Sequence, residues 1–441
     1  MGAGGHCGYH CRNAFGLLHY GTGLDVLIMA KSHPWTFKAR FRAKAYGWRG
    51  TALASKRLKE AVSEIRKAAK SDAVLAADGV VALMERLWPS LESIDTSSGT
   101  LGNAVHRTLD TLIPLVIEAP ADIKTRAKWL ERLYEAVLED GVEYLMPVEE
   151  RWGEICVFPE LANHWADRLY PTVRDGWSRD ERHVWVVGAT ICLSSLLAVG
   201  RYDELTSLLA LQRSTFWHFG QFGAMALARQ DHVDEAVEYA ELHLGNVYDS
   251  GAFAAEGFCE QVLLAAGRRD EAYRRYGLAV TGGTTNLAAY HALLQKYPEQ
   301  DPRQALLDLI ERRGGKGKWF AAAKDAGYLD IALECARDIL AEPSTLIRAG
   351  RDFVEKEPAF AAQVSLCAIT HLLNGRGYEP TERDILDAYK YLMESAARCG
   401  LTEWANGEVE SLKASGAAPG AEPMLRALAA QVRRARVDSR P

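Results

Sequence analysis

Seven short turn cues recur down the second half of the chain, and their spacing constrains the fold more than any other feature. They are Gly200-Arg201-Tyr202-Asp203, Asp231-His232-Val233-Asp234, Gly267-Arg268-Arg269-Asp270, Pro298-Glu299-Gln300-Asp301, Gly327-Tyr328-Leu329-Asp330, Pro358-Ala359-Phe360-Ala361 and Gly400-Leu401-Thr402-Glu403. Successive cues lie 31, 36, 31, 29, 31 and 42 residues apart. A period near that length predicts stacked helix pairs, in which each unit buries its apolar face only against its neighbours. Gly permits the left-handed turn that ends the first helix of a pair. The acid three residues on is expected to cap the second helix. Proline at two cues cannot continue a helix but suits the start of one. The Pro358 cue carries Ala361 where the others have an acid.

The residues before the array are helical without a clear repeat. Val74 to Leu87, Val105 to Leu112, Lys124 to Leu138, Glu160 to Leu169 and Glu181 to Val199 carry apolar positions at helical spacing, with Asp175-Gly176 read as a turn between the last two. Pro89 and Pro114 are expected to end or kink their helices. No alternating strand pattern of useful length occurs, so the class is all-α. The division expected is 1–28, 29–70, a helical region 71–190, repeats over 191–412, and 413–441 as a linker with a short basic helix that either caps the array or stays mobile.

Phrases such as Asp234-Glu235-Ala236-Val237-Glu238-Tyr239-Ala240 and Gly267-Arg268-Arg269-Asp270-Glu271-Ala272-Tyr273 resemble the turn and second helix of the tetratricopeptide-repeat superfamily of α-solenoids. The resemblance covers roughly residues 190–410 and lacks that family's Trp-Leu-Gly-Tyr signature in the first helix. It implies a right-handed α-α superhelix that holds a protein or peptide partner. The segment Lys318-Trp319-Phe320-Ala321-Ala322-Ala323-Lys324-Asp325-Ala326-Gly327 also looks like an uncharacterised bacterial protein family, which implies a bacterial origin and supplies no activity or site residues.

At 48% hydrophobic the 441 residues can bury a large core, which excludes global disorder. Residues 29–70 hold twelve Lys/Arg against two acids, a net of +10, while 1–28 balance at zero, so the formal −6 of the whole leaves −16 for the rest. A basic arm in front of an acidic body is therefore expected. Six cysteines (Cys156, Cys192, Cys259, Cys335, Cys367, Cys399) are scattered singly through apolar helical stretches, the pattern of buried free thiols in a reducing cytoplasm. No run is long enough to cross a bilayer.

The first 28 residues are rich in Gly and His and lack a helical period, which favours Met29 as the true start. His6, Cys7, His10, Cys11 and His19 crowd together without the second separated pair that a tetrahedral zinc site needs, so no metal is assigned. In the arm, cations alternate with aromatics: Trp35, Phe37, Lys38, Arg40, Phe41, Arg42, Lys44, Tyr46, Trp48 and Arg49, followed by Lys56, Arg57 and Lys59 on an amphipathic helix. Three readings stand: contact with nucleic-acid phosphates, an intramolecular clamp on the acidic body, or a solvated basic face.

Gly314-Gly315-Lys316-Gly317-Lys318 fails the phosphate-loop spacing and has Trp319 where a hydroxyl should hold magnesium, so no cofactor is assigned. Glu149, Glu150 and His164 hold acid–base groups without a spacing that fixes their geometry, so an enzyme of unstated chemistry is the weakest reading. Trp217 and His218, in Phe216-Trp217-His218-Phe219-Gly220, are either inter-repeat core or part of a partner groove. The expectation is a non-catalytic helical-repeat scaffold for a protein or peptide, with nucleic-acid association through the arm as the alternative.

Overall fold

The computed structural model describes residues 33–179, 185–212, 216–244 and 252–438. The Gly- and His-rich start, the change at Met29 and the first residues of the expected Glu181 to Val199 helix lie outside these residues. The described residues form helices and turns without a strand. The chain divides into two compact units. One runs to Arg151 and includes Ile155–Val157; the other comprises Trp152–Glu154 and everything from Phe158 on. The region 71–190 is thus shared between the units.

The first unit contains α1 (Phe37–Arg40), α2 (Thr51–Ala69), α3 (Ala73–Leu91), α4 (Thr100–Glu118), α5 (Ile123–Glu139) and α6 (Met146–Glu150). Pro89 and Pro114 sit inside α3 and α4 rather than ending them. The segment before α2 is not a free arm. Trp35, Phe37, Phe41 and Tyr46 are buried, because aromatics that alternate with cations can all turn inward while the cations stay out. Trp35 lies so close on Gly79 of α3 that any Cβ there would strike its ring. The Lys44 N–H donates to the Pro89 carbonyl at 2.8 Å, and the Asp95 N–H to that of Trp48 at 3.0 Å.

A short helix α7 (Trp152–Cys156) precedes the helices of the second unit. These are α8 (Pro159–Trp177), α9 (Ala189–Ala198), α10 (Tyr202–Leu211), α11 (Trp217–Arg229), α12 (Val233–Glu241), α13 (Ala252–Ala265) and α14 (Arg269–Ala272), the last leading into a π-helical turn, Tyr273–Gly277. Then follow α15 (Leu278–Val280), α16 (Asn286–Lys296), α17 (Pro302–Arg313), α18 (Phe320–Asp325), α19 (Leu329–Ala336), α20 (Pro343–Phe353), α21 (Pro358–Leu373), α22 (Glu382–Arg398), α23 (Thr402–Ser415) and α24 (Glu422–Asp438). They pack in a row on their chain neighbours. One cluster of buried residues runs from Trp217 to Val432, as expected of helix pairs that share a core only with the next pair. Asp175-Gly176 is not a turn: α8 continues through it, and Val186 packs where a Gly176 side chain would stand.

The turn cues have a common geometry. Gly200, Gly267, Gly327 and Gly400 take φ of 73–88°, and Asp231 takes 61° in the equivalent place. The next residue's N–H then reaches back five residues: Arg201 to Leu196, His232 to Leu227, Arg268 to Leu263, Tyr328 to Ala323 and Leu401 to Ala396, at 2.8–3.1 Å. This closure satisfies carbonyls that the helix end leaves bare. The expected capping by the cue acid occurs only at Asp301, which accepts the Gln304 N–H at 2.8 Å. Asp203, Asp234, Asp270 and Asp330 fall inside the first turn instead, because each helix begins two residues after its glycine (or Asp231). Their charge still suits the positive helix end. Two of them reach the neighbouring cue's surroundings: Asp234 pairs with Arg268 at 2.5 Å, and Asp330 with Arg303. Arg269 pairs with Glu299 at 2.8 Å, so cues two to five are linked in series.

The C-terminal helix α24 buries Met424, Leu428 and Val432 and packs on α21 and α22, which decides for the capping alternative. The six described cysteines are free thiols, four of them buried. Among the described residues no helix is long and apolar enough to cross a membrane.

Candidate functional site

Helix α2 carries two stripes of opposite character. Ala54, Leu58, Ala61 and Ile65 recur at helical spacing and are buried. The helix holds only two acids, and both are occupied on the side of the preceding segment. Glu60 receives Arg40 and, at 2.7 Å, Arg57, whose hydrogen bond foremost holds its carboxyl below the usual range. Glu64 accepts the N–H of Thr36 at 2.6 Å and of Phe37 at 3.2 Å, which satisfies orphan donors at the start of α1.

A second stripe of α2, with Lys59, Val62 and Arg66, faces α4 across a groove of about 500 Å³. The opposite wall presents Thr100, Ala104, Arg107, Thr108 and Thr111. Among the described residues no carboxylate lines this groove. Among the described residues, Lys59, Arg66 and Arg107 make no ion pair. The arrangement of cations and hydroxyls can bind an anion.

The residues singled out in the sequence separate into groups. Lys59 lines the groove. Lys56, Arg42 and Arg49 are exposed outside it, and Lys38 is half-buried. Arg40 and Arg57 are held by Glu60, and Lys44 stands 4.0 Å from Glu92. Trp35 is core, while Trp48 is 67% exposed. Sequence reasoning misses Arg107 and the threonines of α4, because only the packing of α2 on α4 makes them neighbours of Lys59.

In the second unit Trp217 is core, with its ring 5.8 Å from that of His243 and 5.5 Å from that of Phe258. His218 is half-buried; its Nε2 lies 2.8 Å from the Thr190 hydroxyl, and the exposed Trp185 stacks on it at 5.8 Å. Neither residue lines the groove of about 400 Å³ formed by α10, α11 and α12. That groove is mostly apolar, with Leu209, Ala210, Ala226, Leu227 and Tyr239 among its walls. Gly223 lets Tyr239 lie close in its wall, since a side chain there would meet the Tyr239 phenol at 2.8 Å. Burial raises the pKa of that phenol.

Of the acid–base residues, Glu149 and Glu150 belong to the first unit and His164, exposed on α8, to the second. Burial, reinforced by Glu143, Asp140 and Glu150, pushes the Glu149 carboxyl up to about 8. The glycine loop 314–318 is a helix connection whose Gly317 N–H donates to Asp338 at 3.1 Å. Among the described residues, no group of three His, Cys, Asp or Glu is gathered as a metal would require.

No known protein family matches the chain, and no curated protein matches it either. The likenesses to tetratricopeptide repeats and to a bacterial family therefore gain no support from comparison; what stands is an all-α row of packed helices.

Proposed function

We propose that the protein is a non-catalytic helical-repeat scaffold, of tetratricopeptide-like design and right-handed superhelical course, that holds a protein or peptide partner. The observation that carries this reading is the groove between α10, α11 and α12, an apolar concavity of about 400 Å³ within a row of helices. Apolar surface left open in a concave site is the usual mark of a binding face. A partner segment that buries aliphatic or aromatic side chains against Leu209 and Leu227 fits its chemistry.

The test is affinity capture with the full chain, against a Leu209→Glu/Leu227→Glu variant whose helicity and unfolding midpoint match the wild type. A partner recovered at near-equimolar ratio by the wild type and lost with the variant supports the proposal. Equal recovery by both, or no stoichiometric partner, counts against it.

A further inference from the structure

The groove between α2 and α4 differs in chemistry from the apolar groove of the second unit. Lys59 and Arg66 enter from one wall and Arg107 from the other, with no carboxylate among the lining residues. An acid set opposite these cations across the gap would neutralise them. Here the two acids of α2 are committed elsewhere, Glu60 to Arg40 and Arg57, Glu64 to the start of α1. The nearest acid on α4, Asp110, lies one turn from Arg107 and is exposed, and among the described residues the two make no ion pair. Like charges gathered at one concavity repel until an anion joins them.

We propose that this groove binds a compact oligophosphate, an anion with two or three linked phosphate groups. Arg66 and Arg107 offer forked donors that match phosphate oxygens, and Lys59 a mobile point charge. Lys59 and Arg66 are seven residues apart on α2, about 10 Å along the helix axis, so they address different phosphates of one chain. Thr108 and Thr111 donate to the carbonyls of Ala104 and Arg107 at 2.8 and 2.9 Å, which leaves Ser55 and Thr100 as the hydroxyl donors of the groove.

Two observations favour a compact ligand over a nucleic-acid strand. The volume of about 500 Å³ is that of a small-molecule pocket. Among the described residues no aromatic side chain lines the groove, and four aromatics of the preceding segment are core, so these residues offer unpaired bases no stacking platform there.

The experiment is calorimetric titration of the full chain with inorganic tripolyphosphate at low and moderate salt. Saturable one-to-one binding is expected, weakening as salt rises. Lys59→Gln, Arg66→Gln and Arg107→Gln should each lower affinity about tenfold, while Lys56→Gln/Lys70→Gln, which removes cations outside the groove, should change it less than twofold. These side chains are exposed, and thermal unfolding checks that each variant folds. The inference is overturned by absence of saturable binding, by an equal loss in the off-groove variant, or by a single-stranded oligonucleotide binding through these residues where tripolyphosphate does not. None of these outcomes touches the apolar groove of the second unit, so the scaffold reading stands or falls separately.

Discussion

Arg126 is a guanidinium buried without a carboxylate. It donates to the carbonyls of Val116 and Ala119 at 2.8 Å and of Ile155 at 3.0 Å, and so closes the bare C-terminal end of α4. The thiol of Cys156 beside it is pushed up to about 12 by burial, although Arg126 pulls it down, so the cation has no anionic partner near neutral pH. Arg126→Met would leave these carbonyls unpaired and should lower unfolding free energy by about 2–5 kcal/mol, read by urea titration. Arg126→Lys should recover part of the loss.

Glu149 makes a prediction with a defined sign. Its folded carboxyl holds a proton to about 8, whereas the unfolded chain releases it near the ordinary value of 4.5. The folded state therefore binds the extra proton between those limits, and stability falls as pH rises from 4.5 to 8. Glu149→Gln keeps a neutral side chain of the same shape. It should match the wild type near pH 4 and exceed it by roughly 2–4 kcal/mol at pH 9. An advantage that does not grow with pH would show that the carboxyl is not held neutral.

At the scale of the element, the turn cues divide what the sequence discloses from what it conceals. Glycine at 200, 267, 327 and 400 was legible because the left-handed conformation is a local demand of one residue. The role of the following acid was not. Whether Asp234 caps its own helix or pairs with Arg268 depends on where the helix begins and what the next pair brings alongside. Gly176 misled for a related reason: it signals a turn locally, and only Val186 packing over it explains a glycine inside a helix. The aromatics of the 35–48 segment were legible as a pattern, but which of them turn inward (Trp35, Phe37, Phe41 and Tyr46, not Trp48) was not. The same local rule yields a test at Asp231, which takes a φ of 61° where its counterparts have glycine. Asp231→Gly should stabilise the protein by about 0.5–1 kcal/mol, and Gly267→Ala should destabilise it by about 1–2 kcal/mol, both read by thermal or urea unfolding.

Over the whole molecule, charge and apolar surface are set out for different tasks. Of the cations in residues 33–70, Arg40 and Arg57 pair with Glu60 and Lys44 stands 4.0 Å from Glu92, while Lys59 and Arg66 are turned to the α4 groove. The second unit spends its apolar residues on a continuous core and leaves a groove of them open at α10–α12. The ion pairs that link its turns are exposed and contribute little singly, so the row is held mainly by burial. A scaffold needs that division, with a rigid row to position and an open groove to hold. Its most direct measurement is the molar ratio of partner to protein after capture by the full chain and by the Leu209→Glu/Leu227→Glu variant. A ratio near one that collapses in a folded variant is the result predicted, and an unchanged ratio, or no partner at all, would contradict it.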